Sequence, residues 1–144
     1  MTSNRRFKRL TKEEYPEAIE WYQQQSVLWH LGCGEQLALL NSVSPHLYEG
    51  WLADVSQNLK PDLPVCVVSR LEILIGVAKS LEVLAPENRP DLATIWFSSP
   101  NDNPLFQGKS MKQYLLDNND TEAFQRVEEY LVEAVIGGLS GSYL

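Results

Sequence analysis

Apolar residues recur along much of this chain at steps of three and four, the spacing that places side chains on one face of an α-helix. The longest such pattern covers residues 65–85 and lies between two prolines. Its seam consists of Val67, Leu71, Leu74, Ala78 and Leu81. A helix this apolar is typically buried on most sides. The pattern predicts an all-α fold with one long central helix.

Capping residues predict further helices on either side of the central one. Thr11 and Glu14 have the spacing of a capping box and predict a helix that reaches about Gln25. Asp120 predicts the start of a last helix that runs to about Ile136. In that last helix we expect an inner apolar face of Phe124, Val127, Leu131, Ala134 and Val135. We expect an acidic outer face of Glu122, Glu128, Glu129 and Glu133.

Residues 34–55 have the sequence pattern of a helix-turn-helix unit. A short helix is followed by a turn at Asn41 and Ser42, and Ser44 then caps a second helix with Pro45 at its first position. The second helix would have to enter the DNA major groove, yet it carries acidic residues and no Lys or Arg. The unit therefore supports two interpretations, a degenerate helix-turn-helix used for dimerisation or a weak operator binder.

A loop rich in Pro and Asn follows the helix that ends near Trp96. We expect that helix to begin at an Asn88 cap. Its core residues should be Leu92, Ala93, Ile95 and Trp96. Within the loop, Gly108 can adopt a positive φ, and Ser110 with Gln113 has the capping-box spacing of a new helix. The sequence predicts two helices joined by a loop with its own specific geometry.

Charge is unevenly distributed along the chain, whose formal net charge is −7. Five of the twelve basic residues precede the first acidic residue, so the rest of the chain carries seven basic and nineteen acidic groups. Phosphate backbones favour clustered Lys and Arg. The basic arm is therefore either a solvated, frayed terminus or a DNA-contacting arm. The candidate DNA contacts are Arg5, Arg6, Lys8, Arg9 and His46.

Motifs for catalysis and for metal binding are missing from the sequence. It has no Gly-x-Ser-x-Gly elbow, no phosphate-binding glycine loop and no His-Glu-x-x-His helix, and it has only two histidines. The His and Cys residues lack the paired short spacings of a zinc site. We therefore expect a binding protein and no enzyme, without a metal or a cofactor.

Cysteine usage and hydropathy indicate the compartment. Cys33 and Cys66 are too few for a disulfide framework, and the chain shows neither a signal peptide nor an apolar run of membrane-spanning length. A cytoplasmic protein with reduced thiols and no membrane partner is the expectation. Exposed aromatic residues near the N-terminus, with Trp21 and Trp29 as packing or dimer anchors, indicate a homodimer.

The stretch from the Trp96 helix to the last helix contains a further set of patterned residues, namely Trp96, Pro100, Asn101, Asn103, Pro104, Leu105, Phe106, Gly108, Lys109, Ser110, Tyr114, Leu115 and Leu116. In these residues the stretch resembles the toxin-binding domain of the Xre/MbcA/ParS group of bacterial type II antitoxins. Gln107 stands where the family has a glycine, and Met111 where it has a proline. The resemblance covers residues 65–138 well. Residues 35–55 are loosely similar to Xre-type DNA-binding domains.

The resemblance implies an antitoxin that blocks the active-site entrance of a RES-domain toxin encoded nearby, a toxin that consumes NAD⁺ or uses it for ADP-ribosylation. We expect the chain to divide into an N-terminal helical region over residues 1–63, with the helix-turn-helix-like unit at about 34–55, a toxin-binding domain over 64–138 and a flexible tail over 139–144. The expected toxin contacts are Asn101, Pro104, Leu105, Phe106, Gly108, Lys109, Gly137, Ser140, Tyr143 and Leu144.

The sequence leaves alternatives open for the role of the loop residues and for the function. Pro104 and Gly108 could only shape the loop, while Leu105 and Phe106 fill the core. At the level of function, the rivals are a DNA-binding autorepressor and an orphan interaction module that retains the fold without a toxin partner.

Overall fold

The computed structural model describes residues 9–137. Within that range the regular structure is helical, which confirms the predicted all-α fold. The α-helices are α1 (Tyr15–Leu28), α2 (Cys33–Leu39), α3 (Pro45–Ser56), α4 (Val65–Leu84), α5 (Leu92–Ser98), α6 (Met111–Asp117) and α7 (Thr121–Ile136). Two short 3₁₀ turns, Lys12–Glu14 and Pro104–Phe106, precede α1 and α6. Among residues 9–137, no helix combines the length and the apolar character that crossing a membrane requires.

The described residues form two compact units, one that ends at Glu72 and one that begins at Ile73. The boundary falls inside α4, so the long central helix predicted from the sequence contributes residues to both units. The domain boundary expected at residues 63 and 64 stays a prediction.

The first unit packs around large aromatic side chains of α1 and α3. The rings of Tyr22 and Tyr48 meet edge to face with their centroids 6.5 Å apart, and the Tyr22 hydroxyl donates to the Gln36 carbonyl at 2.8 Å. Trp29 is fully buried within this unit. Of the two roles expected for Trp29, packing anchor or dimer anchor, this burial supports the packing role, because a side chain in the core presents no surface to a second copy.

The turn between α2 and α3 has an uncommon backbone. Asn41 and Ser42 both adopt positive φ angles, 74° and 57°. A left-handed backbone at two successive non-glycine residues costs conformational free energy, so interactions with the surrounding structure have to stabilise it. Arg70 of α4, only 3% exposed, does so: its guanidinium donates to the Leu39 carbonyl at 3.2 Å and to Asn41 Oδ1 at 3.4 Å.

A second buried charge of α4 fastens the start of the described chain. The carboxylate of Glu72 accepts a hydrogen bond from the Leu10 backbone N–H at 2.8 Å. Further along, the Glu14 carboxylate accepts from the Thr11 backbone N–H at 2.9 Å, which agrees with the predicted capping box. The charged side chains of Arg70 and Glu72 thus hold connecting segments against α4.

The second unit buries an aromatic core that α5, α6 and α7 share. Its fully buried rings are Phe97, Phe106 and Phe124. The predicted caps of the last two helices are confirmed, since Ser110 Oγ accepts from the Gln113 N–H at 3.0 Å and Asp120 Oδ1 from the Ala123 N–H at 2.8 Å.

Three expectations for this unit were wrong. The N-cap residue of α5 is Asp91 and not Asn88. Ile95 is 44% exposed, because the inner stripe of α5 runs through Ala93 and Phe97, and a residue midway between them points outward. Glu128 is only 7% exposed: it lies one turn after the buried Phe124, on the inner side of α7.

Candidate functional site

The segment between α5 and α6 forms a loop that is closed at its base. The Asn101 backbone N–H donates to the Lys109 carbonyl at 3.1 Å, and Pro100 pairs with Ser110 in an isolated antiparallel bridge. These contacts join the two ends of residues 101–109, which we call the closing loop. A loop held at both ends presents its tip in a defined orientation.

Asparagine side chains organise the first half of the closing loop. Asn101 Oδ1 accepts from the Asn103 N–H at 2.8 Å, and Asn103 Oδ1 accepts from the Leu105 N–H at 3.0 Å. Both are Asx turns, which replace backbone turns by side-chain hydrogen bonds. The second leads into the 3₁₀ turn Pro104–Phe106. Asn101 is only 7% exposed, so its side chain stabilises the loop from the buried side.

Two left-handed residues reverse the chain in the second half of the loop. Gln107 has φ 56° and ψ 36°, and Gly108 has φ 82°. The Lys109 N–H then donates to the Phe106 carbonyl at 2.9 Å. The positive φ predicted for Gly108 is confirmed, whereas the same conformation at Gln107 was not foreseen.

A charged network ties the end of the loop to α6. The Lys109 ammonium lies 2.7 Å from Asp117 Oδ2, and the Gln113 amide donates to Asp117 Oδ1 at 2.9 Å. The Gln113 side chain thus points along α6 towards Asp117, where a capping box would have turned it back to Ser110. Hydrogen bonds from Lys109 and then Gln113 hold the pKa of the Asp117 carboxyl below its ordinary value.

Phe106 anchors the loop in the core of the second unit. Its ring is fully buried and meets Tyr114 and Tyr130 edge to face, with centroids 5.6 Å and 5.3 Å away. Such pairs are a favoured aromatic geometry. Of the two roles left open for Phe106, the burial of its ring favours the one in which it fills the core over a direct toxin contact, while the neighbouring Leu105 is only half-buried.

The outward rim of the closing loop is formed by Asp102, Pro104, Gln107 and Gly108, all of which are exposed. Of the residues predicted as toxin contacts, the rim contains Pro104 and Gly108, with Lys109 half-exposed beside them. Sequence reasoning omitted Gln107 from the site. The one signal for it was the departure from the glycine that the antitoxin family has at this position.

The outer face of α7 carries Glu122, Glu129 and Glu133, which are exposed as predicted. Arg126 on the same face pairs with Glu122 at 2.8 Å. Gly137, which follows the helix, is exposed. The predicted contacts Ser140, Tyr143 and Leu144 lie outside the described residues.

The candidate DNA contacts are not brought into one described surface. Arg5, Arg6 and Lys8 lie outside the described residues. Arg9 is exposed, as is His46 in the first turn of α3. Exposed Glu49 is close to His46 in the sequence of α3, a helix without Lys or Arg. The exposed part of α3 around His46 and Glu49 therefore lacks the positive charge that favours binding to DNA phosphates.

The structure contains little that could hold a metal. In the part of the chain that it describes, no group of three or more His, Cys, Asp or Glu side chains is placed to bind one ion. Cys33 and Cys66 are both free thiols at exposed positions.

Comparisons of this chain with protein-family models, with curated proteins and with solved structures find no match. The antitoxin resemblance therefore rests on sequence motifs alone, chiefly the run from Asn103 to Ser110.

Proposed function

We propose that this chain is the antitoxin of a type II toxin-antitoxin pair and that it binds a RES-domain toxin so as to block the toxin's active-site entrance. The observation that carries the proposal is the closing loop. The residues that resemble the toxin-binding motif form a closed, internally hydrogen-bonded structure in which buried Asn101 and Phe106 hold Pro104, Gln107 and Gly108 outward.

Preorganisation of the loop favours binding. Association costs free energy whenever a flexible loop has to be ordered at the interface. In the closing loop that ordering is already present, through the Asn101–Lys109 closure, the two Asx turns and the Lys109–Asp117 ion pair. A rigid rim of this kind is suited to recognising a protein surface.

The charge of the second unit supports a cationic partner surface. Residues 73–137 include five basic and ten acidic residues. Three of the five basic residues form ion pairs with carboxylates of the same unit, namely Arg89, Lys109 and Arg126. An acidic protein complements a cleft that attracts an anionic dinucleotide such as NAD⁺. Carboxylates would then occupy places that phosphates take in the substrate complex.

The C-terminal residues complete the proposed interface. Gly137 directly follows α7, and the stretch to Leu144 contains the remaining predicted contacts, Ser140 and Tyr143. In the proposal this stretch enters the nucleotide pocket while the closing loop contacts the pocket's rim.

Co-expression with the neighbouring RES-type reading frame tests the proposal. A tagged form of this chain should capture the RES-domain protein in a stoichiometric complex. Pro104→Arg, at the exposed rim, should weaken capture, because it adds bulk and positive charge where the partner is expected to be cationic. Pro64→Arg is the matched control: it changes an exposed proline of the first unit by the same charge and should leave capture unchanged.

Absence of a complex would contradict the proposal and would leave the orphan interaction module. A complex that Pro104→Arg does not weaken more than Pro64→Arg would contradict a role of the closing loop in the interface. Salt-sensitive binding to the DNA upstream of its own gene, without a complex, would favour the autorepressor instead.

A further inference from the structure

Gln107 occupies a backbone conformation that its residue type seldom adopts. Non-glycine residues with positive φ are uncommon, and Asn and His are enriched among those that occur. The described chain has five of them, His30, Asn41, Ser42, Asn58 and Gln107. Three of the five are Asn or His, for which the conformation is less unusual. Gln107 belongs to neither type, so its presence at φ 56° needs a separate reason.

The fold explains the left-handed backbone at position 107, but it does not explain why the residue there is glutamine. The Gln107 side chain is exposed, and within residues 9–137 its amide makes no hydrogen bond. The backbone around it is fixed by its neighbours, since the Gln107 N–H donates to the Pro104 carbonyl at 3.2 Å and the Phe106 ring is buried. A glycine would satisfy the same turn without the steric cost of a Cβ. An unfavourable residue that the local structure does not use indicates a functional constraint.

The surroundings of Gln107 leave room for a partner. The next residue is Gly108, and a Cβ built there would meet nothing within 4 Å, so the loop is open to solvent at residue 108. Without a side chain at residue 108, another main chain can approach the loop closely. The Gln107 amide combines a donor and an acceptor, which matches the N–H and C=O of a peptide group.

We propose that the Gln107 side-chain amide is a specificity-determining contact of the closing loop, one that hydrogen-bonds a main-chain peptide group of the toxin. This assignment rests on the proposed antitoxin function. The amide would add a hydrogen-bonding group to a rim in which the other predicted toxin contacts, Pro104 and Gly108, have no polar side chain. Buried polar groups discriminate sharply between partners, because a wrong partner leaves them unpaired.

Two variants of Gln107 separate the amide from the backbone. Gln107→Ala keeps a Cβ in the left-handed conformation and removes the amide. Gln107→Gly also removes the steric cost and should raise Tm by roughly 2–4 °C. Both should weaken binding of the purified RES-domain protein about three- to tenfold, the effect expected for one lost hydrogen bond. Binding is measured as Kd by titration calorimetry.

His30→Gly is the matched control. His30 is an exposed left-handed residue with the same φ of 56°, in the first unit. The control should relieve strain without a change in Kd. Unchanged Kd values for both Gln107 variants, with normal binding by the wild-type chain, would overturn the role of Gln107 alone. A wild-type chain that fails to bind would overturn the antitoxin function, and this assignment with it.

Discussion

The Lys109 ammonium lies 2.7 Å from the Asp117 carboxylate and so joins the end of the closing loop to the last residue of α6. A carboxylate at the C-terminal end of a helix is unfavourable, because the helix dipole is negative there. The positive charge of Lys109 offsets that effect. The ion pair therefore stabilises α6 and the loop conformation together.

Lys109→Met should raise the pKa of Asp117 towards its ordinary value of 3.8, because the ammonium that lowers it is removed. Since the folded-state pKa of Asp117 is depressed, its stabilising contribution is present above the unfolded-state pKa and is lost as pH falls through the folded-state pKa. The variant should lose less stability than the wild type over that acidic range. Carboxyl chemical shifts measured by NMR across an acid titration provide the test.

The Arg89–Asp91 pair supplies the internal control for that titration. The pKa of Asp91 is likewise lowered, chiefly by a hydrogen bond from Arg89. Asp91 should titrate identically in the wild type and in Lys109→Met. An Asp117 pKa that does not respond to the substitution would show that the ion pair does not persist in solution.

Phe106→Ala should lower the free energy of unfolding by about 3–5 kcal/mol, because it leaves a cavity between Tyr114 and Tyr130. Gln107→Ala, at the exposed neighbouring position, should change it by no more than about 0.5 kcal/mol. Urea denaturation followed by circular dichroism measures both. A Phe106→Ala variant with wild-type stability and impaired toxin binding would restore the interpretation of Phe106 as a surface contact.

Arg70→Met should cost about 1–3 kcal/mol of unfolding free energy, since the Leu39 carbonyl and Asn41 Oδ1 lose their donor. Lys79→Met is the control on the same helix. It also replaces a basic residue by Met, but Lys79 is exposed, so the free energy of unfolding should change little. Equal and small effects of the two substitutions would mean that the turn between α2 and α3 holds its left-handed backbone without Arg70.

The sequence allowed the helices to be predicted well because their ends are set by local chemistry. Ser44, Ser110 and Asp120 each accept a backbone N–H of the following turn, and each was recognisable from its spacing to an apolar pattern. The long apolar pattern likewise predicted α4 to within one residue. Such signals involve residues close together in the chain, so no tertiary information was required.

The candidate site was harder to predict because it depends on contacts between distant residues. Whether Phe106 is exposed depends on where Tyr130 lies, 24 positions later in the sequence. The burial of Arg70 depends on a turn that residues 41 and 42 form. Likewise, the left-handed backbone of Gln107 is imposed by the closure of the whole loop, against the preference of the residue itself.

Truncation of the chain after Ile136 should abolish or strongly reduce toxin neutralisation, because it removes Ser140, Tyr143 and Leu144 while leaving α7 complete. Tm should stay close to that of the full chain. Growth of cells that express the toxin together with either form is the measurement. Full protection by the truncated chain would exclude the C-terminal residues from the interface and leave the closing loop as its main element.

The rate of NAD⁺ consumption by the purified RES-domain protein, measured while this chain is added stepwise, tests the central claim most directly. We predict that the rate falls in proportion to the added chain and reaches background at equimolar concentration, as expected for tight binding that blocks the active site. A rate that is unchanged at a large excess of this chain would contradict the antitoxin function.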